Sequence, residues 1–117
     1  MRLYWLFGAL VLSFVLASLQ IWALEDFLYW RYPWFDVPMH MLGGAAIATS
    51  LIAFLKERKE KELWILFALA LIGWEVFEYV FGFPKEANYA LDTTIDLVVG
   101  TLGGYASYLV ARRSLWR

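Results

Sequence analysis

Four long apolar runs are the feature that most constrains how this chain of 117 residues can fold. They cover approximately residues 3–24, 37–55, 63–83 and 91–111. A helix needs about 20 mostly apolar residues to cross a bilayer, and each run has close to that length. The hydrophobic content of 62% also exceeds the roughly 45–50% that is usual in soluble domains. The runs predict an all-α fold, in which residues 1–117 form a single four-helix transmembrane domain.

The first run has a competing interpretation as a secretory signal peptide. The apolar core of a signal peptide is about 7–15 residues long and precedes a cleavage site made of small residues. The run over residues 3–24 is longer, and Ala17-Ser18-Leu19 is a poor cleavage site. We therefore expect a first helix that is retained.

The segments between the runs differ in character. Residues 25–35 are rich in Trp, Tyr and Phe, and because Trp and Tyr favour the level of the lipid headgroups, they predict an interfacial segment between helices 1 and 2. A site that stacks a ligand is the alternative for these rings. The charged stretch 56–62 predicts a solvated loop. Pro84 predicts the end of the third helix, since proline cannot continue it, and residues 85–90 follow as a short loop.

The Lys and Arg residues predict the orientation of the four helices. Four crossings place both termini on one side, together with stretch 56–62 and eight of the ten Lys and Arg residues. Arg31 and Lys85 lie on the other side. Because the side richer in Lys and Arg is the cytoplasmic one, we expect a multi-pass protein of the cell membrane with both termini in the cytoplasm.

Each of the last three runs carries a pair of polar side chains, three or four residues apart on one helix face. The pairs are Asp36/His40, Glu75/Glu78 and Asp92/Asp96. A helix rises about 1.5 Å per residue, so the polar side chains that lie within the runs are roughly 5–12 Å below the outer boundary of the membrane. Five carboxylates and the only histidine are therefore expected in one leaflet. Glycines of the second and fourth runs are expected to let these faces approach the third helix.

A cluster of this kind predicts a metal site. Several carboxylates in a low-dielectric region cannot all stay ionised unless they share protons, pair with cations or bind a metal. One histidine with several carboxylates suits a divalent Zn, Fe, Mn or Mg ion. The candidate ligands are Asp36, His40, Glu75, Glu78, Asp92 and Asp96.

Two other interpretations of the cluster stay open. The acids could form a network that shares protons, or a structural cluster that only fixes how the helices pack. Asp36 and Asp92, taken singly, also fit helix N-caps. Glu75 and Glu78 fit a functional site better, because acids within a membrane are costly and are functional by default.

Three motifs occur in order along the last three runs: Asp36-x-x-x-His40-x-x-Gly43, Glu75-x-x-Glu78 and Asp92-Thr93-x-x-Asp96. Over about residues 35–105 they resemble the YjdF-like bacterial inner-membrane proteins. More distantly they resemble the VanZ-like family of bacterial and archaeal membrane proteins, which is linked to teicoplanin resistance. Val37 stands where the family pattern has a lysine after the aspartate. The resemblance implies that the six polar residues form one constellation, and it implies no particular reaction.

Composition narrows the functions that fit. A net charge of −1 gives no basic field for nucleic acid, and the absence of Cys excludes disulfides, thiolate metal sites and Cys nucleophiles. The first hypothesis is a metal-dependent enzyme acting at the outer leaflet on a lipid or lipid-linked substrate. A proton- or ion-coupled transport component is the second. The third is a structural accessory subunit, and small-residue helix faces would also suit a homo-oligomer.

Overall fold

The computed structural model describes residues 2–55, 59–81 and 89–114, the last range without the side chain of Tyr89. Within these residues the regular elements are all helical. They are α1 (Leu3–Glu25), α2 (Leu28–Arg31), α3 (Asp36–Phe54), α4 (Glu60–Val80) and α5 (Tyr89–Ser114), with a 3-10 turn at Pro33–Phe35. Four helices are long and apolar enough to cross a membrane. The all-α class and the four long helices are therefore confirmed.

The loop predicted over residues 56–62 is wrong at its end, because α4 already begins at Glu60. Lys59 Nζ lies 3.2 Å from Glu62 Oε1 across this start. Glu60 and Glu62 occupy the first turn, where the helix dipole favours negative charge. The charged residues thus start the helix instead of preceding it. Residues 56–58 lie outside the described residues, as do the helix stop predicted at Pro84 and the basic residue Lys85.

Neither Asp36 nor Asp92 is the N-cap of its helix. The residue before α3 is Phe35, which makes no capping hydrogen bond with its side chain, and Asp36 is the first helical residue. Helix α5 begins at Tyr89, so Asp92 lies inside its first turn and the loop predicted over residues 85–90 extends two residues too far. Both carboxylates lie at a helix N-terminus, where the dipole favours negative charge.

Helix α3 is central and packs against α5 along a contact made by glycines. A Cβ atom on Gly44 would lie 1.8 Å from the carbonyl oxygen of Gly100. A Cβ atom on Gly103 would lie 2.0 Å from the carbonyl oxygen of Met41. The two backbones are therefore in direct contact, as small residues allow in helix pairs. The glycines bring α3 and α5 together. Two glycines of α5 also face the third long helix, α4: Gly100 lies against the side chain of Leu71, and Gly104 lies against the ring of Phe67.

One cluster of buried apolar side chains lies at one end of the bundle. Ile52, Leu63, Tyr108 and Ala111 are buried there, with Trp5 and Trp64 packed against them. We call this the terminal end, because α1 begins and α5 ends at it. The opposite end, which carries α2, is called the α2 end. Tyr108 Oη donates a hydrogen bond to Glu60 Oε2 at 2.9 Å and so fastens α5 to the start of α4.

Arg2 fastens the start of α1 to the end of α3. Its Nη1 donates to the carbonyl oxygen of Ile52 at 2.7 Å, and its backbone N–H donates to that of Ala53 at 3.0 Å. Both carbonyls belong to the last turn of α3, where intrahelical donors are missing and a cation is favoured.

We expect Arg2→Gln to lower the free energy of unfolding by about 1–2 kcal/mol, measured by thermal unfolding in detergent. The exposed Lys61→Gln is the control, and equal losses would contradict the role of Arg2.

Candidate metal centre

The structure gathers five of the six predicted ligands at the α2 end of the bundle. Asp36 and His40 lie in the first two turns of α3, and Asp96 lies two turns into α5. Glu75 and Glu78 lie near the end of α4. The glycine contact explains why α3 and α5 meet here. Gly44 follows His40 by one turn and Gly100 follows Asp96 by one turn, so the close backbone approach also brings these side chains together.

A first group of donors surrounds the imidazole of His40. Its Nε2 atom lies 3.3 Å from Asp36 Oδ1 and 3.3 Å from Asp96 Oδ1. The pair on α3 has the predicted i,i+4 spacing, whereas Asp96 comes from the other helix and is only 5% exposed. One ring nitrogen thus faces two carboxylates. Such an arrangement is stable only if a proton or a metal ion lies between them.

A second group of donors consists of Glu75, Glu78 and Asp96. Each offers a carboxylate oxygen, and these oxygens lie within 4.8 Å of one another. The same limit holds for the donors of Asp36, His40 and Asp96. Asp96 therefore belongs to both groups, and its place between α3 and α4 joins the pair from each helix.

Glu75 is the buried member of the α4 pair. Its residue exposure is 8%, and its Oε2 atom has no hydrogen-bond partner. A buried carboxylate without a partner is costly unless it is neutralised or its charge is balanced. The position of Glu75 therefore requires a proton, a cation or a polar ligand beside Oε2.

Asp92, the sixth predicted ligand, is in neither donor group of the described residues. It lies one turn before Asp96 on α5 and interacts electrostatically with Glu75, Glu78 and Asp96. Its part as a metal ligand stays a prediction. The structure places it at the edge of the cluster, where it adds a further negative charge.

The sequence analysis missed Tyr29, which lies next to the cluster. Its hydroxyl donates a hydrogen bond to Gln20 Oε1, and its ring packs edge-on against Phe35 with centroids 5.4 Å apart. Burial, followed by the negative charges of Asp36, Glu78 and Asp96, raises the pKa of Tyr29 to about 12. Gln20 could have indicated this contact, because a polar amide near the end of an apolar run needs a partner.

This shift predicts how stability depends on pH. Below about pH 10 the phenol is protonated in both the folded and the unfolded chain, and its contribution is fully present. Between about pH 10 and the folded pKa of about 12, the unfolded chain releases the proton first, so the free energy of unfolding falls. We expect this fall to be steeper for the wild type than for Tyr29→Phe in thermal unfolding across that range. Identical pH profiles of the two proteins would contradict the raised pKa of Tyr29 in the folded protein.

An open cleft of about 280 Å³ lies beside the cluster, between α4 and α5. Its lining is almost entirely apolar and consists of Ile72, Glu75, Val76, Tyr79, Thr93 and Leu97. Thr93 Oγ1, like Glu75 Oε2, is a buried polar atom without a hydrogen-bond partner. Ile72, Val76 and Tyr79 are more than half exposed on the outer side of α4. The cleft thus opens on the apolar surface of the bundle, and the two polar atoms that lack partners are buried behind its apolar wall.

Four hydroxyl groups in the middle and terminal parts of the bundle donate hydrogen bonds within the protein. Thr49 Oγ1 donates to Ser107 Oγ at 3.1 Å, and Ser107 Oγ donates to the carbonyl oxygen of Ala45 at 3.3 Å. Ser50 and Thr101 each donate to a carbonyl oxygen of their own helix, at 2.7 Å. These bonds tie α3 to α5 and satisfy the hydroxyls locally.

No family model matches the chain, and no match was found among curated proteins or among solved structures. The resemblance to the YjdF-like and VanZ-like families therefore stays a prediction from three short motifs. The geometry of the cluster and of the cleft is the basis for a proposed function.

Proposed function

We propose that this is an integral membrane protein in which the polar cluster at the α2 end binds divalent metal. The four long helices expose large apolar side chains along their lengths, such as Phe14 at 74% and Leu69 at 63%. Contiguous apolar surface of this extent is unfavourable in water and favourable in lipid. The excess of Lys and Arg near the termini supports cytoplasmic termini, with the α2 end facing outward.

One observation carries the assignment of a metal, namely the unpartnered and buried carboxylate oxygen of Glu75 within a set of four carboxylates and one imidazole. His40 supplies at most one positive charge to this set. Oxygen and imidazole donors suit Zn, Fe, Mn or Mg. Two ligands about 2.0–2.1 Å from a tetrahedral ion lie roughly 3.3 Å apart, which agrees with the 3.3 Å from His40 Nε2 to Asp36 and to Asp96.

The cleft between α4 and α5 supports a lipid or lipid-linked substrate. An acyl chain would lie against Ile72 and Val76, and its polar end would lie at the level of Glu75 and Thr93. A bound metal ion would polarise a phosphoryl or carbonyl oxygen, or acidify a bound water. Asp92, a carboxylate outside both donor groups, is the residue we assign as a general base. The proposed activity is metal-dependent catalysis at the outer leaflet.

The alternatives differ in what they require of the rest of the bundle. Coupled proton transport needs a polar path through the terminal half. The hydroxyls of Thr49 and Ser107 there are bonded to each other and to backbone, which disfavours such a path. A structural accessory subunit, or a homo-oligomer built on small-residue faces, needs no metal. Metal content therefore separates the catalytic proposal from the structural one.

The test is elemental analysis of detergent-purified protein after incubation with Mn²⁺ or Zn²⁺ and removal of unbound ions. We expect bound metal in the wild type and a lower metal content in His40→Gln and in Glu75→Gln, since each removes a donor. Glu25→Gln is the matched control, because Glu25 is an exposed carboxylate at the same end of the bundle. The same metal content in all four proteins would contradict the proposed site.

A further inference from the structure

We infer that the cluster holds two divalent ions bridged by the carboxylate of Asp96, an inference that rests on the proposed metal site. The first ion would have donors from Asp36, His40 and Asp96. The second would have donors from Glu75, Glu78 and Asp96. These are the two sets of mutually close donors, and Asp96 is the residue they share.

The position of Asp96 suits a bridge. Its Oδ1 atom faces His40 Nε2 at 3.3 Å, and a carboxylate has a second oxygen with which to serve the pair on α4. The residue is 5% exposed and lies between α3 and α4, so water does not compete for it. Bridged ions in two-metal sites are about 3.5–4 Å apart, a separation that one carboxylate spans.

Charge balance favours two ions over one. Asp36, Glu75, Glu78 and Asp96 carry four negative charges when ionised, and two divalent ions balance them with His40 neutral. A single ion would leave two negative charges close together in an apolar region. Each uncompensated buried charge costs several kcal/mol. Two ions therefore balance the four ligand carboxylates without protonating them, and Asp92 at the edge of the cluster adds one negative charge.

The unpartnered oxygen of Glu75 is an independent indication of the second ion. The first group is already held together by the contacts of His40 with Asp36 and Asp96. Glu75 is 8% exposed and has no hydrogen bond to Oε2, and it belongs to the second group alone. An ion in the first group would leave this oxygen unsatisfied. Helix bundles with carboxylate-rich two-metal centres provide a general precedent, using Glu-x-x-His where α4 has Glu-x-x-Glu.

The experiment is a titration of the detergent-solubilised full chain with Mn²⁺, followed by electron paramagnetic resonance. We expect two bound Mn²⁺ per chain and a spectrum of exchange-coupled spins, because a carboxylate bridge couples the two ions. His40→Gln should keep the second ion and Glu78→Gln the first, each with one uncoupled Mn²⁺. Asp96→Asn should abolish the coupling, and Glu25→Gln should behave as the wild type. Circular dichroism confirms that each variant is folded.

The outcomes distinguish this inference from the proposed function. One Mn²⁺ per chain in the wild type would overturn the two-ion centre and leave a metal site in place. Two uncoupled ions would overturn the bridge by Asp96. Absence of bound Mn²⁺, together with absence of Zn²⁺ by elemental analysis, would overturn the proposed function itself. If Asp96→Asn does not fold, the test uses the number of bound Mn²⁺ ions and their coupling in the wild type, His40→Gln and Glu78→Gln. These three proteins are sufficient to support or overturn the two-ion centre.

Discussion

Gly44→Ala is expected to destabilise the protein by about 3 kcal/mol or more, at or beyond the upper end of ordinary overpacking costs. The added methyl group would lie 1.8 Å from the carbonyl oxygen of Gly100 and 2.6 Å from its carbonyl carbon. These are backbone atoms, which no rotamer change can move away. The only relief is to separate α3 from α5, the most extensive helix contact among the described residues.

Gly43→Ala is the matched control, since the two glycines are neighbours on α3. A Cβ atom on Gly43 would have nothing within 4 Å. Alanine is favoured over glycine inside a helix by about 0.5–1 kcal/mol, so this variant should be as stable as the wild type or slightly more stable. Both variants are compared by thermal unfolding in detergent, followed by circular dichroism. Equal melting temperatures for the two would show that the close contact between α3 and α5 is wrong.

The same substitution should also disturb the candidate site. Gly44 lies one turn from His40, and Gly100 lies one turn from Asp96. Moving the helices apart at the glycines would lengthen the 3.3 Å separation between His40 Nε2 and Asp96 Oδ1. We therefore expect Gly44→Ala to bind less Mn²⁺ even under conditions in which it is still folded, whereas Gly43→Ala binds as the wild type does.

The fold could be predicted to the level of four apolar helices because run length alone sets a crossing helix. Which glycines form the contact could not be predicted. Gly43 and Gly44 are adjacent and equally small, and only the rotation of α3 about its axis decides that Gly44 meets Gly100. The start of α4 was missed for a different reason, because charged residues can form either a solvated loop or the exposed first turn of a helix.

Much of the candidate site could be predicted from spacing. Pairs three or four residues apart share a helix face, and their common depth followed from the order of the runs. The central place of Asp96 could not be predicted, because it depends on α5 lying against α3 with α4 on the other side. The contact of Tyr29 with Gln20 was also hidden, since it needs the short helix α2 to fold back beside α1.

Glu75→Leu is expected to have opposite effects on the metal-free and the metal-bound protein. Without metal, the substitution removes a buried carboxylate whose Oε2 atom has no partner. Burying a polar group without a hydrogen bond costs about 1–3 kcal/mol in proteins, so we expect the variant to be more stable by a similar amount. With metal, the wild type gains stability by mass action, about 2.7 kcal/mol at a free-ion concentration of 100 times Kd. The variant lacks a donor of the second group and should gain much less.

The measurement is thermal unfolding of both proteins with chelator and with excess Mn²⁺, alongside Glu25→Leu as the control at an exposed carboxylate. The expected order is Glu75→Leu above the wild type in chelator, with the gap closed or reversed in Mn²⁺. A variant that is more stable under both conditions, beside a wild type that Mn²⁺ does not stabilise, would instead identify Glu75 as a protonated member of an acidic network. A variant that is less stable in chelator would contradict the unpartnered carboxylate itself, because leucine then removes a favourable interaction. A variant that is more stable than the wild type in chelator but not in Mn²⁺ is therefore the result expected if Glu75 is a buried carboxylate that binds a cation.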